Sequence, residues 1–300
     1  MKLEDKCREE SLEGGPDENL ALCRVPVFRP VAVKLLRLLG NQDASVLEVS
    51  QLLKSDPGFS TEMLTMANSA AHGRSHRIHT IEKAVVLLGL DRTRSLATKT
   101  AFDGMIRSLG GSLTVQSCWR HSLATALIAR WLAPFYRLHP DLVYTTGLMH
   151  DIGRLGLLAV EPKQYSELLA RVEGTNEDML LAERCAFRVD HCEAGLFLTK
   201  TWGLPQGFWL PSSQHHVAKN PTTARCVDII RLACALANAL GYKAAPMVRT
   251  ELPEALVEQI PDLGHPRVVS SLSILPQLLE REFGDAPGLT QDEVGSRGRK

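Results

Sequence analysis

From Ser45 onward the chain is divided by helix start and stop signals at short intervals, and runs that alternate apolar and polar residues are nearly absent. That punctuation restricts the fold more than any other feature. Ser45 followed by Glu48 forms a capping-box pattern ahead of inward-facing Val46, Val49, Leu52 and Leu53. Asp56-Pro57 supplies an N-cap and a proline at the first helical position of FSTEMLTMANSA. Thr80 opens a segment whose Ile81, Ala84, Val85 and Leu88 form one stripe before Gly89 stops it. A longer helix is predicted from about Asp91 to Ile106, ended by LGGSL at 109–113. Beyond that break the signals predict helices from about Trp119 to Leu132, from Asp141 to near Gly153, and from Asp190 with Glu193 through Trp202 to Gly203. Further helices are predicted over Ala224–Leu240, 252–260 and 266–283.

The class this implies is all-α: a two-lobed helical bundle with lobes over about 22–110 and 115–240. A helical extension follows over 241–283, with disordered tails at 1–21 and 284–300, which are charged, glycine-containing and aperiodic. Composition narrows the partners. Lys+Arg and Asp+Glu both number 34, so no global field draws nucleic acid or anionic lipid. No stretch reaches the roughly 18 apolar residues of a membrane span, and the N-terminus reads as no secretory signal. Seven cysteines without a CxxC pair predict reduced thiols and a cytoplasmic protein.

Chemistry concentrates in the imidazoles of the second lobe. His121, His150-Asp151, His191 and His215-His216 follow one another along helical segments. Neutral imidazole and carboxylate suit divalent Zn, Fe or Mn, and helices can aim such ligands at a common centre. A lone histidine is more often a core or surface residue, and His72, His76, His79, His139 and His265 are assigned that bland role. On one continuous helix His150 and Asp151 would diverge by about 100°, so an ion could meet both only between their directions.

The stretch LLKSDPGFSTEMLTMANSAAHGRSHRIHTIEKAVVLLGLDRTRSLA, then CWRHSLATALIARWLA, DLVYTTGLMHDIGRLGLL, DHCEAGLFLTKTWGLP and SSQHH, resembles an HDOD domain from about Val25 to Leu240. HDOD is the HD-related output domain of bacterial signalling proteins. DPGF, ANSA, LLGL, GLMHDIGRL, WGLP and HH are specific only in combination. The resemblance implies an all-helical fold with an HD-like second lobe, acting as a regulatory module. It further implies that His121 and His150-Asp151 match the catalytic HD ligands and that His191 with His215 or His216 match the added ligands of the HD-GYP enzymes. On the same comparison Cys234 stands at the position of the closing aspartate. Arg154 replaces a phosphate-facing lysine, and VAKNPTTA replaces the GYP loop.

Three readings follow. The leading one is a non-catalytic signal-transduction module that binds a signalling protein or a small ligand, with input from a separate partner. The second is an HD-type metal-dependent phosphohydrolase, in which ions held by these ligands polarise water and clamp phosphate oxygens. The third is a helix-turn-helix DNA reader over Thr80 to Ile106 carrying Arg92, Arg94 and Lys99, which the neutral charge and apolar leucines disfavour.

Overall fold

The computed structural model describes residues 22, 25, 30–40, 44–70, 77–175, 177–218, 224–245, 253–260 and 274–284. Among them there is no strand. The first group of helices is α1 (Pro30–Gly40), α2 (Val46–Lys54), α3 (Pro57–Ala70), α4 (Ile81–Leu88) and α5 (Leu90–Ser108). The second comprises α6 (Leu113–Tyr136), α7 (Pro140–Met149), α8 (Ile152–Val160), α9 (Pro162–Val172), α10 (Met179–Phe187), α11 (His191–Thr201), α12 (Trp209–Gln214) and α13 (Arg225–Ala239). The short α14 (Pro253–Val257) and α15 (Leu275–Gly284) come last. Both expected tails, except Gly284 at the end of α15, lie outside the described residues, as do His72, His76 and His265.

Local chemistry explains most boundaries. Ser45 accepts the Glu48 amide while Glu48 accepts the Ser45 amide, closing the capping box, and Asp190 with Glu193 repeats the device. Gly89 adopts φ +78°, which lets α4 stop and α5 start at one residue. Asp141, expected as an N-cap, instead lies in the first turn of α7. Pro140 takes the first helical position after His139, and Asp141 accepts from Arg130 at 2.8 Å. α6 begins six residues earlier than predicted because Ser112, in the LGGSL turn, caps it by accepting from Val115 N.

α6 is the axis of the second group. At about 1.5 Å per residue its 24 residues span roughly 36 Å, and α7, α13 and α8 pack along it. One apolar core continues through both groups, from Leu36, Phe59 and Phe102 to Ile128, Leu148, Leu198 and Ile230. α5 and α7 make the join: α5 buries Ser95, Leu96, Ala97 and Thr100, and Ser95 Oγ reaches the Asp141 carbonyl at 3.2 Å. That burial turns the face of α5 carrying Leu96 into the protein. Arg94 and Lys99 pair with Asp91 and Asp103 of the same helix. No described helix is long and apolar enough to cross a membrane. Cys118, Cys192, Cys226 and Cys234 are free thiols, whereas Cys185 is disulfide-bonded, contrary to the expectation of uniformly reduced cysteines.

Candidate metal centre

His150 and Asp151 do not share a helix. α7 ends at Met149 with His150 as its C-cap, Asp151 has φ −100° and ψ 21°, and α8 starts at Ile152. The cause is a close approach from elsewhere in the chain. A Cβ on Gly153 would lie 1.9 Å from the His191 carbonyl oxygen, so the first turn of α8 rests directly on the first turn of α11. The break frees Asp151 to turn inward beside His150. It also brings His191, the first residue of α11, against the doublet.

The remaining ligand candidates come from helix interiors and ends. α6 supplies His121 from its middle, α13 supplies Cys234, and α12 ends at Gln214 so that His215 and His216 follow at its C-terminus. His121, His150, Asp151, His191, His215 and Cys234 are all buried, whereas His216 keeps an exposed face. The ring of His216 still packs on His215, with centroids 4.3 Å apart.

Each buried histidine is anchored through Nδ1. His121 meets the Tyr242 carbonyl at 2.7 Å, His150 the Gly147 carbonyl at 2.7 Å, and His215 the Pro211 carbonyl at 2.9 Å. His191 meets Glu183 Oε2 at 2.5 Å. A carbonyl or carboxylate oxygen only accepts, so Nδ1 carries the proton and Nε2 presents a lone pair to the centre. These are the outer contacts that orient metal-binding imidazoles. The Nε2 atoms of His121 and His150 face each other at 3.3 Å, and Cys234 Sγ is 3.4 Å from that of His121.

Asp151 divides its oxygens between two groups. Oδ2 lies 3.7 Å from Nε2 of both His121 and His150. Oδ1 lies 3.2 Å from His215 Nε2 and 3.5 Å from His191 Nε2. Donors about 2.1 Å from a tetrahedral ion stand roughly 3.4 Å apart, close to the separations of Asp151 from these four nitrogens, and His150, Asp151 and His215 lie within ligand-group distance of one another. Asp151 Oδ1 and His215 Nε2 are buried 3.2 Å apart with no other hydrogen-bond partner, and two acceptors facing each other in this way fit a site made for a cation. The donors thus suit a divalent ion, zinc where Cys234 joins and iron or manganese where nitrogen and oxygen act alone.

Arg154, expected to face phosphate, points inward instead. It donates from Nε to Asp151 Oδ2 at 2.9 Å, from Nη1 to Glu183 Oε1 and Tyr165 Oη at 3.1 Å each, and from Nη2 to His191 Nε2 at 3.3 Å. Its fork is filled by buried acceptors, so none of these donors is left for a ligand at the surface. Glu183 was not singled out in the sequence. It is fully buried on α10, accepts from Tyr165, Arg154 and both nitrogens of the His191 anchor (backbone N and Nδ1), and fixes that ring. Its buried neighbour Ala182 gave no hint of a site, because an acid in the middle of a helix usually faces solvent.

Burial and charge act against each other here. Burial lowers the basicity of His121 and His150, which favours the neutral imidazoles a metal needs. Burial is the largest influence on Asp151 and opposes its ionisation, but the Arg154 guanidinium together with His150, His215 and His191 holds the carboxyl well below the usual range. Glu183 likewise overcomes burial through His191 and Arg154, and its pKa falls to about 2. Burial pushes the Cys234 thiol far up, so Sγ stays protonated unless a cation displaces the proton.

Comparison with known proteins gives a consistent picture. The HDOD domain family model matches residues 25–218. An uncharacterized protein of Treponema pallidum (strain Nichols) is 23% identical over 61% of this chain, which spans only 36% of that relative. Among solved structures, an HDOD domain protein of unknown function from Geobacter sulfurreducens aligns with TM-score 0.72 and 23% identity, covering 92% of this chain and 96% of that one. A protein from Shewanella amazonensis SB2B named as a candidate phosphohydrolase aligns with TM-score 0.64 and 22% identity, covering 89% and 99%. A Marinobacter aquaeolei VT8 protein named as a candidate signal transduction protein aligns at 0.66 and 18%, covering 93% and 63%. At these identities the likeness establishes the shared helical fold.

Proposed function

The chain belongs to the HDOD family, and we propose that it is a regulatory binding module that transmits a signal through a protein or small-molecule partner without turning over a phosphoester. The observation that carries this reading is the burial of the centre. Hydrolysis of the HD type requires a phosphate oxygen to reach cations held around Asp151. Asp151 is 2% exposed, Arg154 4% and Cys234 5%. Cys234 adds a second reason: it offers a protonated thiol where the HD pattern calls for a hard oxygen ligand.

A divalent ion held by His121, His150 and Asp151 would supply positive charge that ties α6 to the α7–α8 junction. His121, His150 and His215 orient their lone pairs through their carbonyl anchors, and Glu183 holds His191 in register. In this reading the polar cluster is a cross-link between helices, and partner recognition takes place on the surface around it. The candidate signal-transduction protein that shares the fold supports the assignment.

The test is turnover by the purified chain loaded with Zn(II), Mn(II) or Fe(II), using a cyclic dinucleotide, a nucleoside monophosphate and an activated phosphodiester. The expected result is a rate no greater than that of His150→Ala. Metal-dependent hydrolysis that disappears in both His150→Ala and Asp151→Ala would overturn the proposal and favour the phosphohydrolase reading. The unpartnered Asp151 Oδ1 and His215 Nε2 are the observations that favour that second reading.

A further inference from the structure

The centre contains two adjoining sets of donors and one permanent cation. The first set is His121 Nε2, His150 Nε2, Cys234 Sγ and Asp151 Oδ2. The second is His191 Nε2, His215 Nε2 and Asp151 Oδ1, with separations to the shared carboxylate of 3.2 and 3.5 Å. Arg154 reaches into each set: Nη2 holds the lone pair of His191 at 3.3 Å in the second, and Nε donates to Asp151 Oδ2 at 2.9 Å in the first, so the guanidinium sits against the carboxylate the two sets share. We infer that the Arg154 guanidinium is a built-in substitute for a second metal ion, so the centre of this chain accepts at most one divalent cation.

The charge count agrees with the geometry. Two buried carboxylates, Asp151 and Glu183, face one guanidinium that remains charged under all folding conditions. These sum to one net negative charge, which one divalent ion turns into one net positive charge, or to neutrality if Cys234 joins as thiolate, so a second ion would enter a centre with no negative charge left to receive it. A second would have to displace Nη2 from His191 and sit in contact with the guanidinium, where like charges in a low-dielectric interior repel strongly. Unlike a metal, the guanidinium is covalently tethered, and its donors are satisfied by Asp151, Glu183, Tyr165 and His191 at once. The surrounding lone pairs therefore keep a cation whether or not metal is supplied.

This inference deepens the binding-module reading, yet the two can fail separately. Turnover with a single bound ion would defeat only the module reading, and a pair of ions in the unaltered protein would defeat only this one. The probe is Mn(II) added to the full chain after chelation, with bound ions counted by elemental analysis and their coupling read by electron paramagnetic resonance. The wild-type chain is expected to hold no more than one Mn(II), with an uncoupled six-line spectrum. Arg154→Gln, which keeps a hydrogen-bonding side chain but drops the charge, is expected to bind one ion more than wild type, giving an exchange-coupled pair. Arg154→Lys, which keeps the charge, is expected to match the wild-type count. Should Arg154→Gln fold poorly, Mn(II) in the growth medium is expected to raise its soluble yield and melting temperature. A coupled pair in wild type, an unchanged count in Arg154→Gln, or a misfolded Arg154→Gln indifferent to Mn(II) would each overturn the proposal.

Discussion

Gly153→Ala is the sharpest structural test, because one methyl group would strike backbone at the point that shapes the centre. The added Cβ would stand 1.9 Å from the His191 carbonyl oxygen, 2.6 Å from Gly195 N and 2.8 Å from the His191 carbonyl carbon. None of these atoms ends a flexible side chain. Moving from 1.9 Å to an ordinary 3.4 Å contact requires α8 and α11 to part locally by about 1.5 Å. Overpacking a close-packed core costs typically 1–3 kcal/mol, and a clash confined to backbone belongs at or above the top of that range. A loss of about 3 kcal/mol corresponds to a fall in melting temperature of roughly 6–12 °C for a chain of this size class. Gly156→Ala, one turn later on α8, is the internal comparison. Its Cβ would meet the Leu198 Cδ1 end of a side chain at 2.6 Å, which a rotamer change can relieve, so a drop of about half that size or less is expected. Thermal unfolding followed by circular dichroism reads both variants. If Gly153→Ala melts within 2 °C of wild type, or no lower than Gly156→Ala, the close contact of α8 with α11 does not shape the centre as argued.

Glu183→Gln removes the charge that Arg154 and the His191 ring share, and breaking one partner of such a buried network is expected to cost about 3 kcal/mol or more, measured by denaturant unfolding at pH 7. Acid stability follows from the same group. Its pKa is about 2 in the folded chain against 4.5 for the free side chain, so its contribution is fully present above pH 4.5 and fades as pH falls toward 2. That shift corresponds to about 3 kcal/mol, and Glu183→Gln should flatten the acid limb of a stability-versus-pH curve, whereas an equally steep limb would refute the assignment. Cys234 should react with a thiol reagent in the native chain at least tenfold more slowly than the less buried Cys226, and comparable rates measured by mass spectrometry would place Cys234 outside the cluster.

Helix starts fixed by contacts three residues long were legible in the sequence. The caps at Ser45, Thr80 and Asp190 each depend on a side chain and a nearby amide. The break between α7 and α8 was not, because Gly153 of GLMHDIGRL shows its purpose only where the His191 carbonyl, nearly forty residues away, packs against it. α9 and α10 went unplaced although Pro162 and Asp178 are ordinary start signals, and Asp178 does accept from Leu181 N at 3.0 Å. Within the centre, the imidazoles could be proposed from their order and Cys234 from the family resemblance. The part played by Arg154 could not. A long cation beside a carboxylate looks the same in sequence whether it reaches out to a ligand or folds back onto Glu183, and only the packing of α8, α9 and α10 decides which.

The Nδ1 anchors also determine how many protons leave when an ion arrives. His121 and His150 are already neutral near pH 7, their single protons committed to the Tyr242 and Gly147 carbonyls, and Asp151 is already ionised. Binding through those three groups therefore releases nothing to solvent. Recruitment of Cys234 displaces one proton, since its thiol is protonated beforehand. The heat of binding measured in buffers of different ionisation enthalpy thus becomes a count of sulfur ligands. An independence from buffer marks an ion held by nitrogen and oxygen alone, and a slope of one proton marks an ion that has drawn α13 into its shell.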